Sequence, residues 1–343
     1  MPQQQFTEGR ATITATAGAI SKRLAVFYNP VMAYNRDISI TLLRALGRRQ
    51  LLVADPLAGS GVRGIRFLKE LPPGTVAALS LNDIREDAAA AIRKNLRRNK
   101  VRAAVSRQDA RTFLLSSTGF DYIDIDPFGS PNPFLDAAVQ RIRNQGILAV
   151  TCTDTASLCG TYPKTCLRKY WAAPLRNAQM HETGLRILIR KAQLIGMQYD
   201  TALHVLFSSF KDHYFRIFFR CERSKKESDL AAAQHGMLHD AGPLYLGRLW
   251  DGALAAAMYR AAPDHFLQTI AAESAIPAIG FFDLHALCKQ HALPIPRTAA
   301  LLERLRGKGY AASTTIFSPY GIRTTAPEPL VIKMISQSRA GRR

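Results

Sequence analysis

The run Ile123-Asp124-Ile125-Asp126-Pro127-Phe128-Gly129-Ser130 is largely apolar until it meets an acid, a proline and an aromatic. It predicts a buried strand whose carboxyl end presents a carboxylate and a ring, at the place where open α/β sheets hold their ligands. Pro127 lacks an N–H and has a fixed φ, so the strand stops there in a stiff turn and pins Asp126 and Phe128 at the lip of the sheet. An isolated Asp-Pro more often does no more than close a core strand. A role in holding a planar substrate therefore needs support from the rest of the chain.

Outward from this stretch the same pattern repeats. Leu51 to Ala54 is apolar and ends at Asp55, Val76 to Leu81 ends at Asn82-Asp83, and Val101 to Val105 leads to Asp109-Ala110. A helix over Pro133–Ile142 separates Tyr122–Asp126 from a fifth run, Gly146–Cys152. Strands alternating with helices, with acids at the strand tips, predict a doubly wound α/β sheet. After a long helical stretch near Leu175–Ile195, Leu203–Phe207 and Tyr214–Phe219 are joined by Ser208–His213, short enough for an antiparallel pair. Seven strands ending in an antiparallel hairpin resemble the sheet of Rossmann-like methyltransferases, and that fold is expected here.

Gly59, Gly61 and Gly64 follow the first strand in a G-x-G-x-x-G pattern, and glycines there let a ligand approach the backbone. Asp55 at the strand end opposes a pyrophosphate but suits a sulfonium ligand with an ammonium group, such as S-adenosylmethionine. Arg63 and Arg66 could offset that repulsion, so a nicotinamide dinucleotide stays open. Asp83, about twenty residues further on, suits ribose hydroxyls or caps a helix over Arg85–Asn99. Asp109 has the same two uses, accepting from an adenine amino group or capping a helix.

With 46 Lys+Arg against 26 Asp+Glu the net charge is +20 and the pI about 10.1. That excess points to a polyanionic partner, nucleic acid before membrane. Arg93, Lys94, Arg97, Arg98, Lys100 and Arg102 form a dense basic patch, either a solvated face or a set of phosphate contacts. No apolar run reaches the ~20 residues that span a bilayer, and Met1-Pro2-Gln3-Gln4-Gln5 shows no signal peptide, so a cytoplasmic protein is expected. The 5 cysteines are odd in number and form no C-x-x-C pair, which fits neither a disulfide framework nor a zinc site.

A chain of 343 residues predicts two domains. Residues 1–30 are polar and mixed, and an amphipathic helix follows from Val31 to Leu46, with Gly47 as its cap. The boundary is expected in the charged, aperiodic stretch Arg220–Asp229, giving domains 1–222 and 223–343. Helices over Phe282–His291 and Thr298–Arg306, then a hairpin of Tyr310–Phe317 and Ile322–Thr325, predict a smaller α+β domain resembling a winged helix.

An acid followed by Pro and an aromatic at the end of the fourth strand resembles the signature of methyltransferases that act on exocyclic amino groups of bases. With Val26-Phe27-Tyr28-Asn29-Pro30, Asn35-Arg36-Asp37, Gly61-Val62-Arg63-Gly64-Ile65-Arg66, Leu81-Asn82-Asp83-Ile84, Cys166-Leu167-Arg168-Lys169-Tyr170, Lys211-Asp212-His213-Tyr214-Phe215-Arg216 and Phe317-Ser318-Pro319-Tyr320-Gly321-Ile322-Arg323-Thr324, nearly the whole chain resembles the tRNA guanine-26 N2-dimethyltransferase family. The resemblance implies methyl transfer from S-adenosylmethionine to a guanine amino nitrogen of tRNA, with the C-terminal domain binding tRNA. It assigns Arg36, Arg63, Asp83, Asp109 and Ala110 to the cofactor, beside Asp55 and Gly59 from the strand-end reading. Asp126, Phe128 and Phe27 go to the base. Many relatives carry paired cysteines before the region matching Gly242–Gly247, and Ser224–Ala241 has none here, so no zinc is expected. A monomer is expected. A non-catalytic RNA-binding protein and a nicotinamide-dependent oxidoreductase remain the alternatives.

Overall fold

The computed structural model describes residues 3–16 and 24–337. It opens with an antiparallel hairpin, β1 (Gln3–Glu8) and β2 (Ala11–Thr16), in the region whose sequence reads only as polar and mixed. Side-chain amides anchor it. Asn95 accepts from the Thr14 amide (2.8 Å) and donates to its carbonyl, and Asn99, one helical turn on, does the same for Thr12 (3.0 Å). The hairpin edge is thus satisfied by two asparagines rather than by another strand, which a hydrophobic pattern does not reveal.

Helix α1 (Ala33–Leu46) ends at Gly47, whose φ of 63° is the left-handed turn that glycine takes without a steric penalty. Strands and helices then alternate: β3 (Leu51–Asp55), α2 (Val62–Glu70), β4 (Val76–Asn82), α3 (Glu86–Arg98), β5 (Ala104–Ser106), α4 (Ala110–Leu115), β6 (Phe120–Ile125), α5 (Asn132–Arg141) and β7 (Ile142–Cys152). β5 is shorter than expected. The Val101 amide is drawn back to the Leu96 carbonyl (3.2 Å) as α3 ends, so the strand begins only at Ala104.

Three short or long helices follow, α6 (Thr155–Leu158), α7 (Pro163–Tyr170) and α8 (Met180–Met197). β8 (Thr201–Lys211) and β9 (Tyr214–Arg223) then form the hairpin. Ser208–Lys211 extends β8 instead of looping, and the chain reverses at Asp212, whose φ of 53° an aspartate tolerates. The sheet order is β5-β4-β3-β6-β7-β9-β8, with β3 to β7 parallel and β9 antiparallel to β7. Strand order reverses between β3 and β6, and the crevice at their carboxyl ends is where such sheets bind ligands. Ile123, Ile125, Ile147, Leu148 and Val150 are wholly buried, each contributing about 1.5–3 kcal/mol by leaving water.

The charged stretch after β9 is ordered: Ser224 accepts from the Glu227 amide and caps α9 (Lys225–Ala232). The remainder contains β10 (His235–Leu238), β11 (Ala241–Tyr245), α10 (Gly252–Ala261), α11 (His265–Ser274), β12 (Phe282–Asp283), α12 (Leu284–Gln290), α13 (Thr298–Gly307), β13 (Ala312–Thr314), β14 (Gly321–Thr324) and α14 (Glu328–Gln337). β12, β14 and β13 form a three-stranded sheet with the expected helix–helix–hairpin order. Leu287, Leu301, Leu305, Ile322, Val331 and Met334 pack as its core.

The chain forms two compact units. One comprises residues to Asp154 with Ala192–Leu206 and Tyr214–Ala233; the other comprises Thr155–Lys191, Phe207–His213 and the chain from Gln234 onward.

Candidate active site

The end of β6 gathers four charges in the first unit. Asp124, wholly buried, receives both Arg216 terminal nitrogens (2.8 and 2.6 Å) and the Tyr122 hydroxyl (2.6 Å). Burial pushes Asp124 up, but Arg216 and Arg63 outweigh it and hold the carboxyl below its ordinary value. Arg216 also donates to Thr151 (2.8 Å) and Ser39 (2.9 Å).

Arg63 carries this network to the surface of the sheet. Its guanidinium donates to Ser39 (3.0 Å) and Asn35 (3.0 Å), lies 3.4 Å from Asp124 and hydrogen-bonds Oδ2 of Asp126. The sequence-predicted cofactor residue Arg63 is therefore bound to the sequence-predicted catalytic acid. Asp126 is partly exposed, whereas Asp124 two residues earlier is not, because Asp124 lies within β6 and Asp126 just past its end.

The turn after Asp126 is fixed by Thr153, the residue that follows β7. Thr153 Oγ1 accepts from the Gly129 amide (2.8 Å), and the Thr153 amide donates to the Gly129 carbonyl (2.9 Å). Phe128 stands 52% exposed above it. Phe27, half-buried, meets Phe128 edge-on, with ring centroids 4.4 Å apart. The two rings therefore touch, while a flat base between them needs about 7 Å, two carbon contact distances. Phe27 is held in place because Val26 exchanges main-chain and hydroxyl hydrogen bonds with Thr16.

On the β3 side, Gly59 and Gly61 have φ of 55° and 78°. A Cβ on Gly59 would lie 3.2 Å from the Phe27 carbonyl, and one on Gly64 would lie 2.7 Å from Leu81, so backbone and helix approach closely there. Asp83 accepts from the Gly59 amide (3.0 Å) and the Arg85 amide (3.0 Å), tying the glycine loop to the tip of β4. A carboxylate has about four lone-pair sites, so it retains capacity for ribose hydroxyls. Asn82, buried beneath, bridges Pro56 and Gln108. Burial, opposed by Arg63 and reinforced by the charges of Asp124 and Asp126, brings Asp55 up to about 7. The fixed negative charge that the sequence suggests at this strand end is thus only partly present at neutral pH.

Asp109 caps α4, accepting from the amides of Arg111 (3.0 Å) and Thr112 (3.4 Å), with Ala110 buried as the first helical residue. Arg36 pairs with Glu8 and donates to the Asn29 carbonyl (3.0 Å). Glu8 also binds Arg66 (2.8 Å) and Tyr28 (3.0 Å). Glu8, Asn35, Asn82, Thr153 and Arg216 do not stand out in the sequence as site residues. The signal for Arg216 lies in its place within Lys211-Asp212-His213-Tyr214-Phe215-Arg216, where a charge follows apolar residues in a strand.

A family model described as N2,N2-dimethylguanosine tRNA methyltransferase matches residues 5–240 and 234–336. The chain belongs to this family. Among similar members of the dimethyltransferase family, the tRNA (guanine(26)-N(2))-dimethyltransferase of Thermococcus kodakarensis is 35% identical, the match covering 96% of this chain and 97% of that one. The enzyme of the same description from Methanothermobacter thermautotrophicus is 37% identical over 93% of this chain and 95% of its own. The structure of Trm1 from Pyrococcus horikoshii in complex with S-adenosyl-L-methionine superposes with a TM-score of 0.88 at 33% identity, covering 97% of this chain and 100% of that chain. Among the described residues no helix is long and apolar enough to cross a membrane, and no group of three or more His, Cys, Asp or Glu side chains is placed to hold a metal ion. All five cysteines are buried, and none of them is in a disulfide.

Proposed function

We propose that this chain transfers one or two methyl groups from S-adenosylmethionine to the exocyclic N2 of guanine 26 in tRNA. What carries the reading is Asp126, held by Arg63 at the lip of the sheet beside an exposed Phe128 and the Phe27 ring. The strand-end crevice fits the cofactor: the Gly59–Gly61 turn admits close approach, and Asp83 and Asp55 flank it with oxygen acceptors. Asp83, Asp55, Gly59 and the Asp109-Ala110 turn would hold S-adenosylmethionine, which when bound supplies an electrophilic methyl group. Arg36 and Arg63 act one step back, positioning the N-terminal segment and Asp126.

A guanine amino nitrogen is a poor nucleophile because its lone pair is delocalised into the ring. Asp126 Oδ2 is engaged by Arg63, so Oδ1 is assigned to accept a hydrogen of that amino group and localise the pair on nitrogen. The rigid Arg63–Asn35–Ser39 cradle fixes the direction from which the carboxylate approaches. The base must leave its stack to arrive. It then lies against the exposed ring of Phe128 or parts it from Phe27.

Incubation with tRNA and S-adenosylmethionine, followed by nucleoside mass analysis, is expected to yield methylated guanosine. Binding without transfer would return the chain to a non-catalytic RNA-binding role, and tight nicotinamide dinucleotide binding without S-adenosylmethionine binding would make it an oxidoreductase. In this reading residues 223–343 form the tRNA-binding domain of a cytoplasmic monomer that carries no zinc.

Asp55 gives the cofactor site a pH dependence. Its folded value of about 7 lies above its ordinary 3.8, so its contribution to stability is complete below 3.8 and is lost as pH rises through about 7. The ionised form is the one that attracts an ammonium group. S-adenosylmethionine affinity is therefore expected to rise as pH passes upward through about 7, and Asp55→Asn to lack that rise. Equal pH profiles by calorimetry would remove Asp55 from the cofactor site.

The net charge of +20 makes phosphate contacts the main source of tRNA affinity. Even about four of them lower affinity by ~10²-fold between about 50 and 200 mM salt through counterion release. A flat plot of log affinity against log salt would exclude this binding mode.

A further inference from the structure

Helix α7, in the second unit, has a buried face of Cys166 and Tyr170 and an opposite face of Lys164, Leu167, Arg168 and Trp171, three or four residues apart and all exposed. Tyr162, at its start, is 58% exposed, and Trp171, at its end, is 46% exposed. From Thr155 to His181 the chain carries Lys164, Arg168, Lys169 and Arg176 and no acid. Exposed aromatics interleaved with positive charge match a nucleic-acid strand rather than a protein core.

Trp171 is the decisive residue. It closes α7 with φ 58° and ψ 39°, the left-handed position that glycine usually fills and a bulky side chain rarely takes. The conformation is imposed from both sides: the Trp171 amide donates to Leu167 (3.1 Å), and Ala173 is bridged in both directions to Gly242 (2.7 and 2.9 Å). Lys191 places its ammonium 2.9 Å from the indole centroid, and Arg190 donates to the Trp171 carbonyl (3.4 Å). One face of the indole is thus backed by a cation while much of the ring stays in water. A large apolar side chain held in an unfavourable backbone position and still exposed is better explained by a ligand than by stability.

We propose that the outer face of α7 is an RNA-docking surface on which Trp171 stacks an unpaired base while Lys164 and Arg168 meet the flanking phosphates. This rests on the reading of the chain as a tRNA enzyme and adds a base contact to it. The platform is sequence-tolerant, since every base has a flat face.

The test uses the full chain with an unmodified tRNA transcript at fixed low salt. Trp171→Gly is expected to weaken binding at least ~5-fold with an unchanged or higher thermal midpoint, because glycine suits φ 58°. Trp171→Phe, which keeps a ring, is expected to stay close to wild type. The wild-type chain supplies a readout that needs no variant: of its two tryptophans, Trp250 is 5% exposed and Trp171 46%, so acrylamide quenching reports Trp171, and tRNA is expected to suppress it. If wild type binds and methylates tRNA while Trp171→Gly binds equally well and quenching is unaffected, the docking surface is wrong and the enzyme reading stands. If Trp171→Gly abolishes self-association with tRNA affinity unchanged, the face is a protein interface and the proposal falls. A wild-type chain that neither binds nor methylates tRNA overturns both.

Discussion

Asp126→Asn is expected to slow single-turnover methyl transfer to tRNA by on the order of 10²-fold or more, the range of a lost acid–base group, with binding of S-adenosylmethionine and tRNA little changed. Asparagine keeps the size of the side chain and one carbonyl oxygen, which can still accept from Arg63. It removes the negative charge that draws a hydrogen from the guanine amino group. The surroundings should survive, because Arg63 keeps Ser39, Asn35 and Asp124 as partners. Near wild-type transfer would mean the carboxylate only shapes the Asp126-Pro127 turn. Loss of S-adenosylmethionine binding would mean the defect is structural.

Three of the parallel strands, β3, β4 and β6, are legible in the sequence because each is a short aliphatic run cut off by Asp or Asn, and Asp126 stands out because Pro127 and Phe128 follow it. The glycine loop is legible for the same kind of reason: only glycine accepts the φ values at residues 59 and 61 without strain. What sequence conceals are partners distant along the chain. Glu8 lies in a stretch without hydrophobic pattern, yet it is the acid that holds Arg36 and Arg66. Arg216 sits in a strand otherwise read as apolar, and its partner is Asp124, 92 residues away. Asp55 keeps its place at the strand end, but complete burial alters its charge, which no local pattern encodes.

The second large effect is expected at Glu182, in the other unit. This carboxylate, on α8, receives Arg186 from one turn along (2.9 Å), Arg323 from β14 (2.7 Å) and the Gly280 amide (3.0 Å). Arg323 also binds Glu273 (2.8 Å) and the carbonyls of Ala278 and Gly280 (2.8 Å each), and Arg186 binds those of Tyr245 (3.0 Å) and Gly247 (2.9 Å). Glu182→Gln takes the carboxylate from Arg186 and leaves Arg323 with Glu273, and removing one partner of a buried pair costs about 3–5 kcal/mol. The pH dependence identifies the cause. Burial pushes Glu182 up, but Arg323 and Arg186 overcome it and bring the carboxyl from 4.5 down to about 2. A group depressed in the folded state contributes stability in full above its unfolded value of 4.5 and loses it as pH falls towards about 2, a difference on the order of 3 kcal/mol at 1.36 kcal/mol per unit. The gap between wild type and Glu182→Gln is therefore expected to be widest above pH 4.5 and to close towards pH 2. Glu273 supplies the contrast on the same guanidinium. Burial pushes its carboxyl up despite Arg323, and the charge of Glu182 pushes it further. Glu273→Gln, which mimics the protonated acid, is therefore expected to cost less than Glu182→Gln at neutral pH. Denaturant unfolding across the pH range measures all three chains, and a Glu182→Gln penalty that is small, or unchanged by acid, would show that the ion pairs do not hold this unit together.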